Sequence, residues 1–262
     1  MPLHLTFILT LVPALALQVL LWRHAMRIRN AGWVDLGWTL GMAFGAMILL
    51  AVLPSATRTL AVLGLVLFWS IRLALHIYAD RLRGNRPEDG RYTALRAHWG
   101  GRAETRFFVF FTGQGFLSAL FLIPATIVAH REGSFPDVWD GLALLIAMSA
   151  VAGESFADRQ LARFRANPEN KGKVCREGFW RFSRHPNYFF EWLHWMAYPV
   201  WAFGADRQVL AWIGPVLMYI FLRYLTGVPH TERQALKSRG EAYRRYQQTT
   251  NVFFPWIPRK PS

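Results

Sequence analysis

Long apolar stretches restrict the fold of this chain more than any other feature. About 20 consecutive, mostly apolar residues in a helix span the hydrocarbon core of a bilayer, and only helices and closed barrels satisfy every backbone polar group there. Seven stretches meet this requirement: 4–22, 33–53, 59–79, 107–129, 138–157, 187–204 and 208–226. The sequence therefore predicts an all-α integral membrane bundle of seven transmembrane helices, formed by a single membrane domain over residues 1–262.

The basic residues are sorted between the two predicted sides of the membrane. The net charge is +14, and nearly all of the Lys and Arg residues lie in the connections after the first, third and fifth stretches and in the C-terminal tail. The opposite connections contain only Arg58, Arg131 and Arg207. Because cytoplasmic loops are enriched in Lys and Arg, we expect the N-terminus outside, the C-terminus in the cytosol of a bacterial-type inner membrane, and an active site that faces the cytosol.

Composition and absent motifs exclude several classes of protein. The chain is 53% hydrophobic and 18% charged, which rules out a disordered chain, and its basic residues form no soluble nucleic-acid-binding module. Cys175 is the sole cysteine, so an intrachain disulfide and a thiolate metal site are excluded. No G-x-G-x-x-G, G-x-x-x-x-G-K-[ST] or G-x-S-x-G pattern occurs, so the Rossmann, P-loop and nucleophile-elbow modes are unsupported.

A row of polar residues runs along the sixth apolar stretch. Asn187, Glu191, His194 and Tyr198 are spaced i, i+4, i+7 and i+11, which places them on one face of a helix. Polar groups inside a membrane face a cavity or another helix, so the row indicates either a ligand cavity or a polar seam between helices. Glu191 and His194 also have the spacing of a di-iron ligand pair, but a second such motif is missing, and we predict no metal.

Two further charged groups lie within or beside the apolar stretches. Arg72, in the third stretch, requires an anionic partner or a phosphate, and Asp35, in the second stretch, is the candidate partner. Asp158 and Arg165 lie where the fifth helix is expected to leave the membrane. They indicate either a binding rim for a ribose or phosphate, or a capping cluster at the interface.

The strongest local signal is the segment 181–188, which places Arg181, Arg184 and His185 just before Pro186. Proline fits the first turn of a helix, and the free amides and positive end of that helix attract anions. More basic residues lie upstream in the same connection. The segment therefore predicts an anion site for a ligand with several phosphates, and the alternative is a basic anchor for lipid headgroups.

Motifs in the C-terminal half resemble those of the membrane steroid 5α-reductase family and its bacterial relatives. The similar segments are Ala157–Arg165, Gly178–Glu191, Gly227–Glu232, Glu241–Tyr246 and Phe253–Trp256. Tyr92, in the segment 88–92, matches a further position of the family. The resemblance implies a seven-helix enzyme that uses NADPH to reduce a carbon–carbon double bond conjugated to a ketone. It places the cofactor-binding half at about 150–262, a range judged from motif coverage.

The resemblance also implies which residues bind NADPH. It assigns positions in the fifth helix, the following loop, the start of the sixth helix and the tail: Asp158, Arg165, Arg176, Asn187, Tyr188, Glu191, Glu232 and Tyr243. We add residues close to these motifs or near the predicted cytosolic side: Arg72, Arg91, Tyr92, Arg184, His230 and Tyr246. The arginines would bind the pyrophosphate and the 2′-phosphate, which favours NADPH over NADH.

The implied chemistry needs a donor at the ketone oxygen. As a hydride attacks the β-carbon of the enone, negative charge develops on that oxygen, and a well-placed donor stabilises the transition state. We predict that Tyr78, hydrogen-bonded to Asp35, is this donor. The expected substrate is a 3-oxo-Δ4-steroid or a similar lipophilic enone that enters from the bilayer. We expect a monomer that contacts membrane lipids and no nucleic acid.

Two other functions are open at this level. The first is an S-adenosylmethionine-dependent methyltransferase of the isoprenylcysteine type, a family that shares the Arg-His-Pro-x-Tyr start. That family usually has paired glutamates where this chain has Thr231 and Glu232. The second is a non-enzymatic lipid-binding membrane protein, which predicts no nucleotide binding and tolerance of substitutions at Asn187 and Glu191.

Overall fold

The computed structural model describes residues 1–84 and 86–259, and the chain there forms two compact units. The N-terminal unit contains Met1–Asp137 and Ala202–Ile213. The C-terminal unit contains Val138–Trp201 and residues 214–259. The prediction of a single domain over 1–262 stays a prediction, because it includes residues outside the described part.

Helices account for the regular structure, and no strand occurs within residues 1–84 and 86–259. The N-terminal unit has α1 (Leu3–Arg27), α2 (Trp33–Val52), α3 (Thr57–Ile77), α4 (Gly90–Trp99) and α5 (Ala103–Ala129). The helices that follow are α6 (Val138–Ala166), α7 (Pro186–Trp201), α8 (Ile213–Ile220), α9 (Val228–Arg239) and α10 (Glu241–Thr249). Wider π-helical turns continue α3 at Tyr78–Leu82 and α8 at Phe221–Leu225.

The chain is an integral membrane helical bundle. Among the described residues, six segments are long and apolar enough to cross a membrane: Leu3–Arg27, Trp33–Val52, Thr57–Leu82, Gly90–Ala129, Val138–Ala166 and Gln208–Arg239. The sequence predicted seven. The segment that differs is α7, because it has 16 residues and is therefore about 24 Å long at 1.5 Å per residue, less than the roughly 30 Å of a bilayer core.

Glycines on α2 let the helices of the N-terminal unit approach closely. Gly37, Gly41 and Gly45 recur every fourth residue on one face of α2. A Cβ atom at Gly41 would lie 2.9 Å from the Ser118 Oγ of α5, and one at Gly45 would overlap the Leu122 Cδ1 of the same helix. Small residues at this spacing drive helix association in membranes, where no hydrophobic effect separates helices from lipid.

Replacing Gly41 with valine is expected to lower the free energy of unfolding by about 1–3 kcal/mol, because the added atoms overpack this contact. Gly64 on α3 is the matched control, since an added Cβ there meets no atom within 4 Å. Gly41→Val and Gly64→Val raise helix propensity equally, so the difference between their free energies of unfolding reports the packing contribution alone. Denaturation in mixed micelles measures the effect, and equal stability of the two variants would contradict the assignment.

In the C-terminal unit, α6 and α7 run antiparallel and are joined by polar contacts near both ends. Near the start of α6, the buried Asp140 accepts a 2.6 Å hydrogen bond from Trp201 Nε1 at the end of α7. Near the other end of the pair, Asn187 Nδ2 donates to Asp158 Oδ1 at 3.1 Å. The start of α7 is therefore fixed beside the last turns of α6.

Candidate functional site

A carboxylate in the N-terminal unit is surrounded by three donors. Asp35 Oδ2 accepts hydrogen bonds from Arg81 Nη1 at 2.9 Å and from Arg91 Nη2 at 3.0 Å. Asp35 Oδ1 accepts a 2.7 Å hydrogen bond from the hydroxyl of Tyr92. The two guanidinium groups hold the carboxylate in place, and the carboxylate in turn positions the Tyr92 phenol.

The start of α4 positions two of these donors. Asp89 caps α4 and accepts from Arg91 N at 2.9 Å. Burial raises the pKa of the Asp89 carboxyl, but Arg91 and Arg81 lower it by more, so this pKa lies below its usual value. Glu88 accepts from Ala31 N at 2.8 Å and from Arg96 Nη2 at 2.7 Å. These bonds hold α4 against the turn before α2, which brings Tyr92 to Asp35.

Two predicted contacts of Asp35 differ from the structure. Tyr78 is 45% exposed, and in the described part of the chain its hydroxyl makes no hydrogen bond to Asp35. The phenol at that carboxylate is Tyr92, which is 3% exposed. Arg72 is not among the partners of Asp35 either, because Arg81 takes that place. Arg81 lies roughly 13 Å further along the helix axis, at 1.5 Å per residue, and so reaches the level at which α2 begins.

Glu232 is the centre of a second cluster, in the C-terminal unit. Its Oε1 accepts a 2.6 Å hydrogen bond from Arg184 Nε, and its Oε2 accepts a 2.8 Å bond from Gln247 Nε2. The His185 Nε2 and the Tyr243 hydroxyl each lie 3.4 Å from Oε1. Burial lowers the pKa of His185 although Glu232 opposes it, and burial raises the pKa of Tyr243.

The same cluster ties the chain's tail to the start of α7. Arg184 Nη1 donates to the carbonyls of Gln247 at 3.0 Å and Thr250 at 2.6 Å. The Tyr246 hydroxyl donates to the carbonyls of Trp180 and Ser183. An anion does lie near the predicted site before α7, but it is the carboxylate of Glu232. Nε and Nη1 of Arg184 and the hydroxyl of Tyr246 are therefore bonded within the protein.

Asn187 occupies the first turn of α7 with half of its side-chain amide unsatisfied. Nδ2 donates to Asp158, whereas Oδ1 is buried and has no hydrogen-bond partner in the described structure. Beside it, the Tyr188 hydroxyl shares a 3.0 Å hydrogen bond with Thr231 Oγ1, and the Tyr188 ring stacks on His185 at 5.2 Å. Buried acceptors are nearly always paired, so this oxygen is suited to a donor from a ligand.

Most of the chain matches the model of a known protein family. A model described as "Protein of unknown function (DUF1295)" matches residues 21–250. The chain belongs to the DUF1295 family. It is also similar to "Uncharacterized protein C594.04c" of Schizosaccharomyces pombe, with 26% identity over 95% of this chain and 79% of that protein. No solved structure matches this chain.

The remaining polar residues of this DUF1295 chain differ in accessibility. Glu191 is 8% exposed and accepts from Trp195 Nε1 at 3.2 Å. The side chains of Arg165 and Arg176 are exposed. Nη2 of Arg176 lies 3.5 Å from the Ala242 carbonyl oxygen. His230 is half-buried on α9. The described residues contain no group of three or more His, Cys, Asp or Glu side chains that could hold a metal ion.

The sequence alone did not point to two members of the clusters around Asp35 and Glu232. Gln247, which binds Glu232, lies four residues after Tyr243 on α10, so helical periodicity could have placed both on one face. Arg81, which binds Asp35, is one of several arginines in the connection after the third apolar stretch. No local signal distinguishes it from Arg83, because its role depends on a helix 46 residues earlier.

Proposed function

We propose that this protein uses NADPH to reduce the carbon–carbon double bond of a 3-oxo-Δ4-steroid or a similar lipophilic enone. The observation that carries the proposal is the buried, unpartnered Oδ1 of Asn187 beside the Asp158 carboxylate. A dinucleotide has amide and amine donors on its nicotinamide and adenine rings, and either could complete this pair. The steroid 5α-reductase resemblance of the same segment supports the choice of cofactor.

Exposed arginines support the phosphate assignment. Arg165 lies in the last turn of α6 and Arg176 in the loop before α7, and both side chains are exposed. Guanidinium groups bind phosphates bidentately, so these two suit the pyrophosphate and the 2′-phosphate. Arg184 does not suit them, because its guanidinium already binds Glu232 and two carbonyls.

NADPH, when bound, would supply the hydride for the β-carbon of the enone, and the α-carbon would take its proton from solvent. Within the protein, a donor is needed at the ketone oxygen as negative charge develops there. We assign this role to the phenol held at Asp35, whose single O–H is donated to that carboxylate in the free protein and would turn to the ketone oxygen when the substrate binds. The structure places Tyr92 on that carboxylate, so Tyr92 takes precedence over Tyr78 as the donor.

The proposal includes the finer topology. We propose seven crossings, with α7 as a short seventh span, the N-terminus outside and the C-terminal tail in the cytosol of a bacterial-type inner membrane. The sorting of basic residues supports this orientation. A monomer with lateral openings to the bilayer would receive an apolar substrate directly from the lipid.

Titration of the detergent-purified protein with NADPH tests the proposal. We expect saturable binding, and NADPH oxidation when a 3-oxo-Δ4-steroid is added. Asn187→Ala should weaken binding about tenfold, which corresponds to the loss of roughly 1.4 kcal/mol of hydrogen bonding. Gln234→Ala is the matched control, because this amide is exposed on α9.

Three outcomes would count against the proposal. Wild-type protein that binds S-adenosylmethionine and not NADPH would favour the methyltransferase. If the wild-type protein binds neither NADPH nor S-adenosylmethionine, and the Asn187→Ala and Glu191→Ala variants behave like wild type, a lipid-binding role is favoured. Equal NADPH affinity of the Asn187→Ala and Gln234→Ala variants would remove Asn187 from the cofactor site.

A further inference from the structure

An apolar groove lies on the surface of the C-terminal unit, and its lining includes neither Glu232 nor Asn187. It has a volume of about 240 Å³ and is lined by Phe182, Pro255, Trp256 and Ile257. Trp256 is 70% exposed, Ile257 74% and Phe182 38%. Contiguous exposed apolar surface of this kind indicates a membrane or partner contact, and the proposed cofactor site does not use it.

The groove is built into the fold rather than formed by a loose tail. Trp256 N donates to the Phe182 carbonyl at 3.0 Å, and Ser183 Oγ donates to the Phe253 carbonyl at 2.8 Å. Pro255 and Pro258 carry no backbone N–H, which reduces the number of donors that would be left unpaired in an apolar environment. The segment therefore suits contact with lipid better than an ordinary polar loop does.

Aromatic contacts place this segment beside membrane-spanning helix. The ring of Phe253 lies 5.2 Å from that of Tyr219, which belongs to the candidate span Gln208–Arg239. The ring of Phe254 lies 5.4 Å from that of Trp192 on α7 and 6.0 Å from that of Tyr219. Phe254 is nevertheless 47% exposed. The segment that forms the groove therefore packs against a candidate membrane span and still exposes apolar side chains.

An arginine lies close in sequence to each of the two segments that line the groove. Arg181 precedes Phe182, and its guanidinium lies 5.9 Å from the Phe182 ring. Arg259 follows Ile257 by two residues. Both arginines are exposed, and neither forms an ion pair within residues 1–84 and 86–259. Apolar contact area beside unpaired arginines is complementary to an anionic phospholipid, which has acyl chains and a negatively charged headgroup.

We propose that the groove of Phe182, Pro255, Trp256 and Ile257 binds an anionic phospholipid of the surrounding bilayer, with an acyl chain in the groove and the headgroup phosphate at Arg181 and Arg259. A second copy of the chain would cover the apolar surface equally well, but it would bring the same positive charges together. The lipid is therefore the occupant that the charge selects. This inference is independent of the proposed enzyme activity.

Quenching of Trp256 by brominated lipids tests the inference on the full chain in mixed micelles. The Trp256 signal is the difference between wild type and Trp256→Phe. We expect brominated phosphatidylglycerol to quench it at a lower mole fraction than brominated phosphatidylcholine, by about fivefold for each arginine that contacts the headgroup. The double variant Arg181→Gln/Arg259→Gln should lose this preference. The matched double variant Arg233→Gln/Arg245→Gln, also exposed, should keep it.

The inference would be overturned if neither brominated lipid quenched Trp256. It would also be overturned if the preference for phosphatidylglycerol survived in Arg181→Gln/Arg259→Gln, or if both double variants lost that preference equally. Size-exclusion chromatography tests whether a second copy of the chain occupies the groove. A dimer that the Ile257→Gln substitution dissociates would assign the groove to self-association. All substituted side chains are exposed, so circular dichroism should show an unchanged fold.

Discussion

Replacing Glu232 with alanine is expected to lower the free energy of unfolding by about 3–5 kcal/mol, because removing one partner of a largely buried ion pair leaves the other uncompensated. The side chains of Glu232 and Arg184 are 15% and 11% exposed. The same change removes the acceptor of Gln247 and the neighbour of His185 and Tyr243. Chemical denaturation in mixed micelles, followed by tryptophan fluorescence, measures the loss.

The control for this prediction is Glu241→Ala on α10. Glu241 is also paired with an arginine, but its side chain is 62% exposed and lies 3.6 Å from Arg244. An exposed pair of this kind contributes less than about 0.5 kcal/mol. If the two alanine variants unfold at the same denaturant concentration, the cluster does not hold the tail to α7.

Tyr92→Phe is expected to reduce turnover of an enone by about 10²–10³, which is the usual effect of removing one donor to a developing oxyanion. The change removes only the hydroxyl that binds Asp35 and leaves the ring packed against Phe107, whose centroid is 6.5 Å away. Asp35→Asn should have a similar effect, because the amide cannot orient the phenol as a carboxylate does. Single-turnover oxidation of NADPH measures the chemical step.

Tyr78→Phe is the matched control, since it removes a phenol hydroxyl that is not bonded to Asp35. Turnover close to wild type is expected. A loss in Tyr78→Phe with full activity in Tyr92→Phe would return the donor role to Tyr78. Full activity in Tyr92→Phe, Asp35→Asn and Tyr78→Phe would falsify the assignment of this cluster to catalysis. Unfolding measured in parallel separates catalytic from structural effects, because Asp35→Asn also weakens two ion pairs.

The spacing of residues in the sequence predicts some features of the tertiary structure. The row from Asn187 to Tyr198 is on one face of α7, with Glu191, His194 and Tyr198 buried, because the period of 3.6 residues fixes that face. The glycine repeat of α2 is an equally local pattern, and it is a known signal for close helix packing. The repeat contains no polar or charged side chain, so the positions of the intramembrane charges do not reveal it.

The sequence by itself determined that this protein is an integral membrane bundle of helices, because about 20 apolar residues per segment leave the backbone no other way to satisfy its hydrogen bonds in lipid. Only the tertiary structure decided the partners of Asp35 and Glu232. Tyr92 is 57 residues from Asp35, and Arg184 is 48 residues from Glu232. Local composition does not show which of several arginines or tyrosines will meet a carboxylate, because helix packing and turn geometry set that distance.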